Sequence, residues 1–194
     1  MFKIKDIATF FMKKYDPKIH NRRSIRLEYY DYSIPDDYFI TICTHNRKCI
    51  FGYIKNGKMI FNDLGRIIRE EIINISKRYK NIEIDEYIIM PNHIHMIISI
   101  LFYDVGATLV VAQNRAGASP APTIGDVIGS FKSICFYRYK KYLQDNEFDT
   151  KHKFWQRNYW EHIIRNEKSL NKIRNYIINN PFVWNRDRNN PSNF

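Results

Sequence analysis

The sequence predicts an α+β fold, a ferredoxin-like antiparallel sheet with packed helices. Three observations carry that expectation. Runs of strand length, rich in β-branched and aromatic residues, occur at 36–45, 82–90, 93–101 and 158–165. Apolar residues at helical spacing lie between the first and second runs, between the third and fourth, and after the last. The two middle runs are separated only by Pro91 and Asn92, which reads as a hairpin. The order is strand, helix, strand, strand, helix, strand, helix.

Residues 1–33 are basic and lack a clean period, and they are expected to form an arm that partly wraps the domain. Lysines break each of their apolar stretches and no small-residue cleavage site follows, so they do not read as a signal peptide. "DDYFITICTH", 36–45, is the first strand. In "FNDLGRIIREEIINISKRYKN", Leu64, Ile68, Ile72 and Ile75 share one helical face, and Asn62 or Asp63 is placed to cap its start. "IEIDEYIIM" and "HIHMIISIL" are the hairpin strands. A second helix, about Thr123 to Leu143, buries Ile124, Val127, Ile128, Phe131 and Cys135. "NYWEHIIR" is a short strand. The last helix runs from about Glu167 to Asn180, capped by Asn166 and stopped by Pro181, whose ring disfavours helical geometry in the residue before it.

At 194 residues the chain supports one core, so residues 1–194 are expected to form a single domain. One segment stands apart. "VGATLVVAQNRAGASPAPT", 105–123, holds five of the six alanines and neither lysine nor tyrosine, against a background rich in Ile, Asn, Lys and Tyr. That break reads as an inserted flexible surface loop.

Thirty-one Lys plus Arg against twenty Asp plus Glu give a formal charge of +11, which favours a polyanionic partner, nucleic acid ahead of a membrane surface. No run approaches the roughly 18 apolar residues a membrane span needs. Cys43, Cys49 and Cys135 are odd in number and irregular in spacing, which reads as free thiols in a reducing cytoplasm.

The chemistry centres on "EYIIMPNHIHMIISI", 86–100. Residues i and i+2 of a strand share a face, so His93 and His95 present two imidazoles within reach of one metal ion, while Ile94, Met96, Ile98 and Ile100 face the other side. A bare H-x-H is short, and two partly exposed histidines on a polar strand face explain it as well. In the last helix the core stripe is Leu170, Ile173 and Ile177, and Tyr176 and Asn180, four apart, share a face beside it. They offer a phenol nucleophile and an amide oxygen ligand, or simply an interfacial tyrosine and a helix-ending asparagine.

Together with "FWQRNYWEHIIRNEKSLNKIRNYIINNP", the stretches "YFITICTHNRKCIFG", "MPNHIHMI" and "TIGDVIGSFKS" resemble the REP-associated tyrosine transposases. These belong to the single-tyrosine branch of the HUH endonucleases, whose signature is two histidines around one hydrophobic residue. The resemblance covers most of residues 22–184. It implies the HUH endonuclease fold, metal ligation by His93 and His95, Tyr176 as nucleophile, and Asn180 as a further ligand. Insertion-sequence relatives more often carry glutamine at that last position, whereas asparagine matches the repeat-associated branch, and the alanine-rich loop is an addition to the family pattern.

The implied activity is metal-dependent cleavage and rejoining of single-stranded DNA at hairpin-forming repeats through a 5′-phosphotyrosine intermediate, by a monomer or homodimer. The nitrogen and oxygen ligand set suits Mg2+ or Mn2+, and two imidazoles also suit zinc. Lys132, Arg157, Arg165, Lys172 and Arg174 are expected DNA contacts, and Phe154, Trp155, Tyr159 and Trp160 are candidates to stack on unpaired bases. His162 is either a neighbour of the ligands or a polar-face residue. Two competing readings are a non-catalytic, domesticated nucleic-acid-binding protein on the same fold, and a zinc hydrolase with Glu161 as its water-activating carboxylate.

Overall fold

The computed structural model describes residues 31–32, 34–102, 122–147 and 153–193. Apart from Asp31 and Tyr32, the expected N-terminal arm lies outside the described residues, as does the alanine-rich loop up to Ala121.

The chain runs through β1 (Asp36–Cys43), β2 (Gly52–Lys55), β3 (Lys58–Phe61), α1 (Asp63–Arg78), β4 (Ile82–Ile89), β5 (His93–Ile100), α2 (Ile124–Asp145), β6 (Trp160–Ile164) and α3 (Glu167–Asn179). The main sheet has the order β4-β5-β1-β6 with every neighbour antiparallel, which is the ferredoxin-like arrangement the element order predicts. The hairpin β2–β3 is an addition between β1 and α1. Its turn is Asn56-Gly57, both at positive φ (51° and 69°), the left-handed pair that a two-residue hairpin loop requires.

Each helix starts where its sequence provides an acceptor. Asn62 accepts from the Gly65 N–H at 2.9 Å, Asn166 from the Ser169 N–H at 2.9 Å, and Thr123 forms a reciprocal capping box with Asp126. The end of α3 departs from expectation. Asn180 keeps right-handed helical angles (φ −55°, ψ −40°) although Pro181 follows, and the backbone tightens into a 3-10 helix, Asn180–Arg186, rather than stopping. Pro181 falls at the second position of that 3-10 helix, within its first turn, where a missing N–H costs no intrahelical hydrogen bond.

The two faces of the sheet have different roles. Tyr38, Ile40, Ile42, Ile94, Met96 and Ile98 are fully buried on one face, and α1 and α2 pack together with their apolar stripes buried. Full burial of each such side chain is worth about 1.5–3 kcal/mol relative to exposure. Between those helices Glu71 takes hydrogen bonds from Arg78 and Arg138, each at 2.7 Å, and these hold its carboxyl below the usual range although burial opposes them. On the other face Phe39, Ile97 and Ile164 pack with Ile177 of α3, flanked by Leu170 and Ile173 as the helical spacing predicts. His93 and His95 lie on this second face, at the end of the sheet where α3 gives way to the 3-10 helix. Among the described residues no helix is long and apolar enough to cross a membrane.

Candidate metal and tyrosine site

Register decides which side chains meet. Thr41 pairs with His95, and Cys43 with His93, across β1 and β5; Trp160 of β6 pairs with Thr41 from the other side. All five therefore project from the same face. His93 and His95 are 0% and 1% exposed, so they are interior groups rather than the polar face of an amphipathic strand.

Their outer nitrogens are held by partners. His93 Nδ1 lies 2.8 Å from Asn92 Oδ1. The Asn92 amide is oriented by its own nitrogen, which donates to the carbonyls of Arg47 (2.9 Å) and Asn189 (2.7 Å). Its oxygen can only accept, so His93 Nδ1 carries the proton and Nε2 presents a lone pair. His95 Nδ1 lies 2.8 Å from Thr41 Oγ1, a hydroxyl able to donate or accept.

The inner nitrogens, Nε2 of both rings, are 3.1 Å apart. Two bare lone pairs at that distance repel, so the geometry calls for either a proton on His95 Nε2 or a cation between them. Donors each about 2.1 Å from one cation and at right angles stand about 3 Å apart. Burial pushes the His93 imidazole down to about 3, assisted by the Arg188 and Arg47 charges, and burial together with His93 holds His95 well below its ordinary value. Both are neutral near pH 7, the form that binds a metal.

A third donor comes from a residue the sequence reading passed over. A carboxylate oxygen of Asp187 stands 3.8 Å from His93 Nε2, and ligand atoms of His93, His95 and Asp187 all lie within 4.8 Å of one another. The cluster can hold a metal ion. In "NRDRNN" Asp187 reads as part of a solvated charged turn; its burial arises because the 3-10 helix redirects the chain across the histidines. The Asn189 N–H donates to Asp187 Oδ1 at 2.6 Å and fixes the carboxylate.

Tyr176 reaches the same point. Its hydroxyl is 3.2 Å from His95 Nε2, and its ring sits edge-on to Phe39 at 6.0 Å. Burial and the Asp187 charge raise the phenol above its ordinary value, while the Asn180 amide and Arg188 favour the phenolate. Asn180 itself is fully buried, and neither amide atom makes a hydrogen bond of ordinary geometry, even though the group lies close enough to Tyr176 to influence it. A buried amide without partners costs about 1–3 kcal/mol, so this one fits a missing ligand. Two imidazoles, a carboxylate and an orphaned amide form a donor set suited to a divalent cation.

The expected DNA contacts are distributed unevenly. Arg157 and Lys172 line cavities beside the site, as does Arg188, which the sequence reading did not single out. Arg165 is exposed just past β6. Arg174 makes a two-pronged pair with Asp85 at 2.8 and 2.7 Å. Lys132 is half-buried, and its ammonium donates to the carbonyls of Gln156, Arg157 and Asn158 at 2.6, 3.2 and 3.4 Å, tying that loop to α2. Glu161 pairs with Ile40 and so projects from the face opposite His95, which deprives the zinc-hydrolase reading of its carboxylate.

No family model matches the chain. Among solved structures it is similar to a REP-associated tyrosine transposase bound to a REP hairpin, at 19% identity over 81% of this chain and 73% of that one, TM-score 0.48. It is also similar to a candidate transposase from Deinococcus radiodurans R1, at 16% identity over 80% of this chain and 97% of that one, TM-score 0.43. Among curated proteins it matches an uncharacterized protein of Haemophilus influenzae, 43% identical over 179 residues that span 90% of this chain and 96% of the relative. With that identity along nearly the full length of both proteins, the chain belongs to one family with the Haemophilus influenzae protein.

Proposed function

We propose that the protein is a tyrosine transposase of the HUH type, cutting and rejoining single-stranded DNA at hairpin-forming repeats. The observation that supports this most directly is the 3.2 Å approach of the Tyr176 hydroxyl to His95 Nε2, which puts a candidate nucleophile beside the candidate metal donors. A binding protein has no need of that convergence.

In this reading His93, His95 and Asp187, with the Asn180 amide beside them, would hold a divalent cation, Mg2+ or Mn2+. When bound, it supplies Lewis-acid polarisation of the scissile phosphate and offsets the charge that repels a nucleophile. Thr41 and Asn92 hold the two rings so that Nε2 of each faces the site. Tyr176 Oη attacks phosphorus, the bond from phosphorus to the 3′ oxygen breaks, and the phenol proton is released as the phosphotyrosine ester forms. The departing strand ends in a 3′ hydroxyl. Because the ester preserves a phosphodiester bond, a 3′ hydroxyl from another strand can reverse the attack without ATP. That reversibility separates strand transfer from hydrolysis.

The test is incubation with hairpin-bearing single-stranded DNA and Mn2+, followed by denaturing electrophoresis. A protein–DNA adduct that survives denaturant, matched by a free 3′ end, is the expected result. Cleavage that leaves only free ends, or tight binding without any cleavage, would refute the proposal; the second outcome would favour the non-catalytic binding protein.

A further inference from the structure

Two cavities flank the histidine pair, and they differ in chemistry. One, of about 430 Å3, is the more polar of the two and carries Arg47, Arg157 and Arg188. The other, of about 560 Å3, is lined by Phe39, Trp160, Ile173 and Tyr176, together with Lys172. They share Thr41, Trp160 and Arg188, so they form two halves of one groove that passes His95.

Trp160 stands where the halves meet, and it differs from Phe154 and Trp155. Phe154 is buried and stacks on Tyr139 at 4.3 Å. Trp155 donates its indole N–H to the Lys132 carbonyl and packs against Phe51. Trp160 is 42% exposed. It is nonetheless fixed: its backbone pairs with Thr41, its ring meets Phe39 edge-on at 5.5 Å, and His162 lies parallel to it, 11° off at 6.0 Å. An indole immobilised by strand pairing and neighbouring rings, accessible to solvent and with cations to either side, has the features of a platform for a base attached to a phosphate chain.

We propose that Trp160, backed by His162, stacks on a single unpaired nucleobase next to the phosphate held at the histidine pair, with Arg188 and Lys172 beside its sugar–phosphate links. This rests on the reading of the groove as a single-stranded DNA site. Stacking accepts any base, so the platform sets how the strand is placed and leaves sequence to other contacts.

The test is binding, measured in chelator so that no chemistry intervenes, of hairpin-bearing single-stranded DNA whose unpaired flank carries one abasic position moved stepwise. Trp160→Leu should weaken binding by about 5- to 150-fold, the range of stacking on one base, and Trp160→Phe by less than about threefold. One abasic position should weaken the unmodified protein comparably, and at that position Trp160→Leu should lose nothing more. Equal effects at every abasic position, or undiminished binding by Trp160→Leu, would overturn the platform. Should the leucine variant melt early, the abasic series on the unmodified protein decides by itself. The two proposals fail separately. Normal adduct formation with an inert Trp160 removes the platform alone, whereas a base-specific loss at Trp160 without any adduct removes the tyrosine chemistry alone.

Discussion

Thr41 Oγ1 lies 2.8 Å from His95 Nδ1, across the register pair that joins β1 to β5. Because the hydroxyl can accept, it allows His95 to carry its proton on Nδ1 and turn a bare Nε2 to the site, the tautomer His93 already has through Asn92. Thr41→Val keeps the shape and removes the oxygen. Isothermal titration should show Mn2+ affinity lowered by about 10- to 100-fold, the usual cost of losing a partner behind a ligating histidine, with Thr41→Ser close to the unmodified protein. Equal affinity for the valine variant would mean that Thr41 does not position His95.

Acid should unfold the protein earlier than its carboxylates alone require. His93 titrates near 3 in the folded chain and His95 well below 6.5, whereas both titrate near 6.5 when unfolded. As pH falls below 6.5 the unfolded chain therefore takes up protons that the folded chain refuses. The stability these groups contribute is complete above about pH 6.5 and declines below it, by up to about 1.4 kcal/mol per pH unit for each histidine. Denaturant midpoints at pH 7.5 and pH 5.0, taken in chelator, should differ markedly, and a variant with alanine at both His93 and His95 should show a much smaller difference. Parallel pH profiles for the two proteins would contradict burial of neutral imidazoles.

Lys132 separates a structural from an electrostatic role. Bonded to three carbonyls, it should stabilise the 156–158 loop, and Lys132→Met should lower stability by about 1.5–3 kcal/mol, the scale of losing charged hydrogen bonds. The salt dependence of single-stranded DNA binding should keep its slope. A residue that neutralises a phosphate would reduce that slope by about 0.7 and leave stability nearly unchanged. That second pattern would return Lys132 to the DNA contacts.

The sheet was legible because its signals are local. β-Branched runs, helical apolar spacing and capping residues Asn62, Thr123 and Asn166 all lie within a few residues of what they specify. The hairpin β2–β3 was missed although Asn56-Gly57 is a strong turn signal, because its strands are only four residues long and lack a strong apolar alternation. The histidine pair and the pairing of Tyr176 with Asn180 followed from periods of two and four. Asp187, Thr41 and Arg188 did not, because their roles depend on long-range geometry. Thr41 meets His95 only through strand register, and Asp187 arrives only because helical geometry continues past Asn180 into the 3-10 helix. Pro181 argued locally for a stop, and the tighter 3-10 turn removed the conflict.

Tyr176→Phe separates attack by a tyrosine from attack by an activated water. The change removes one oxygen, keeps the ring against Phe39, and gives up a hydrogen bond worth about 1 kcal/mol, so the fold and hairpin binding should persist. The measurement is adduct formation on hairpin-bearing single-stranded DNA with Mn2+, paired with peptide mapping of the adduct formed by the unmodified protein. The expected result is a nucleotide on the peptide containing Tyr176 and, for the phenylalanine variant, no adduct and a loss of cleavage of roughly six orders of magnitude, the scale of removing a nucleophile. A nucleotide mapped to Tyr159 or another tyrosine, or undiminished cleavage by Tyr176→Phe, would contradict it.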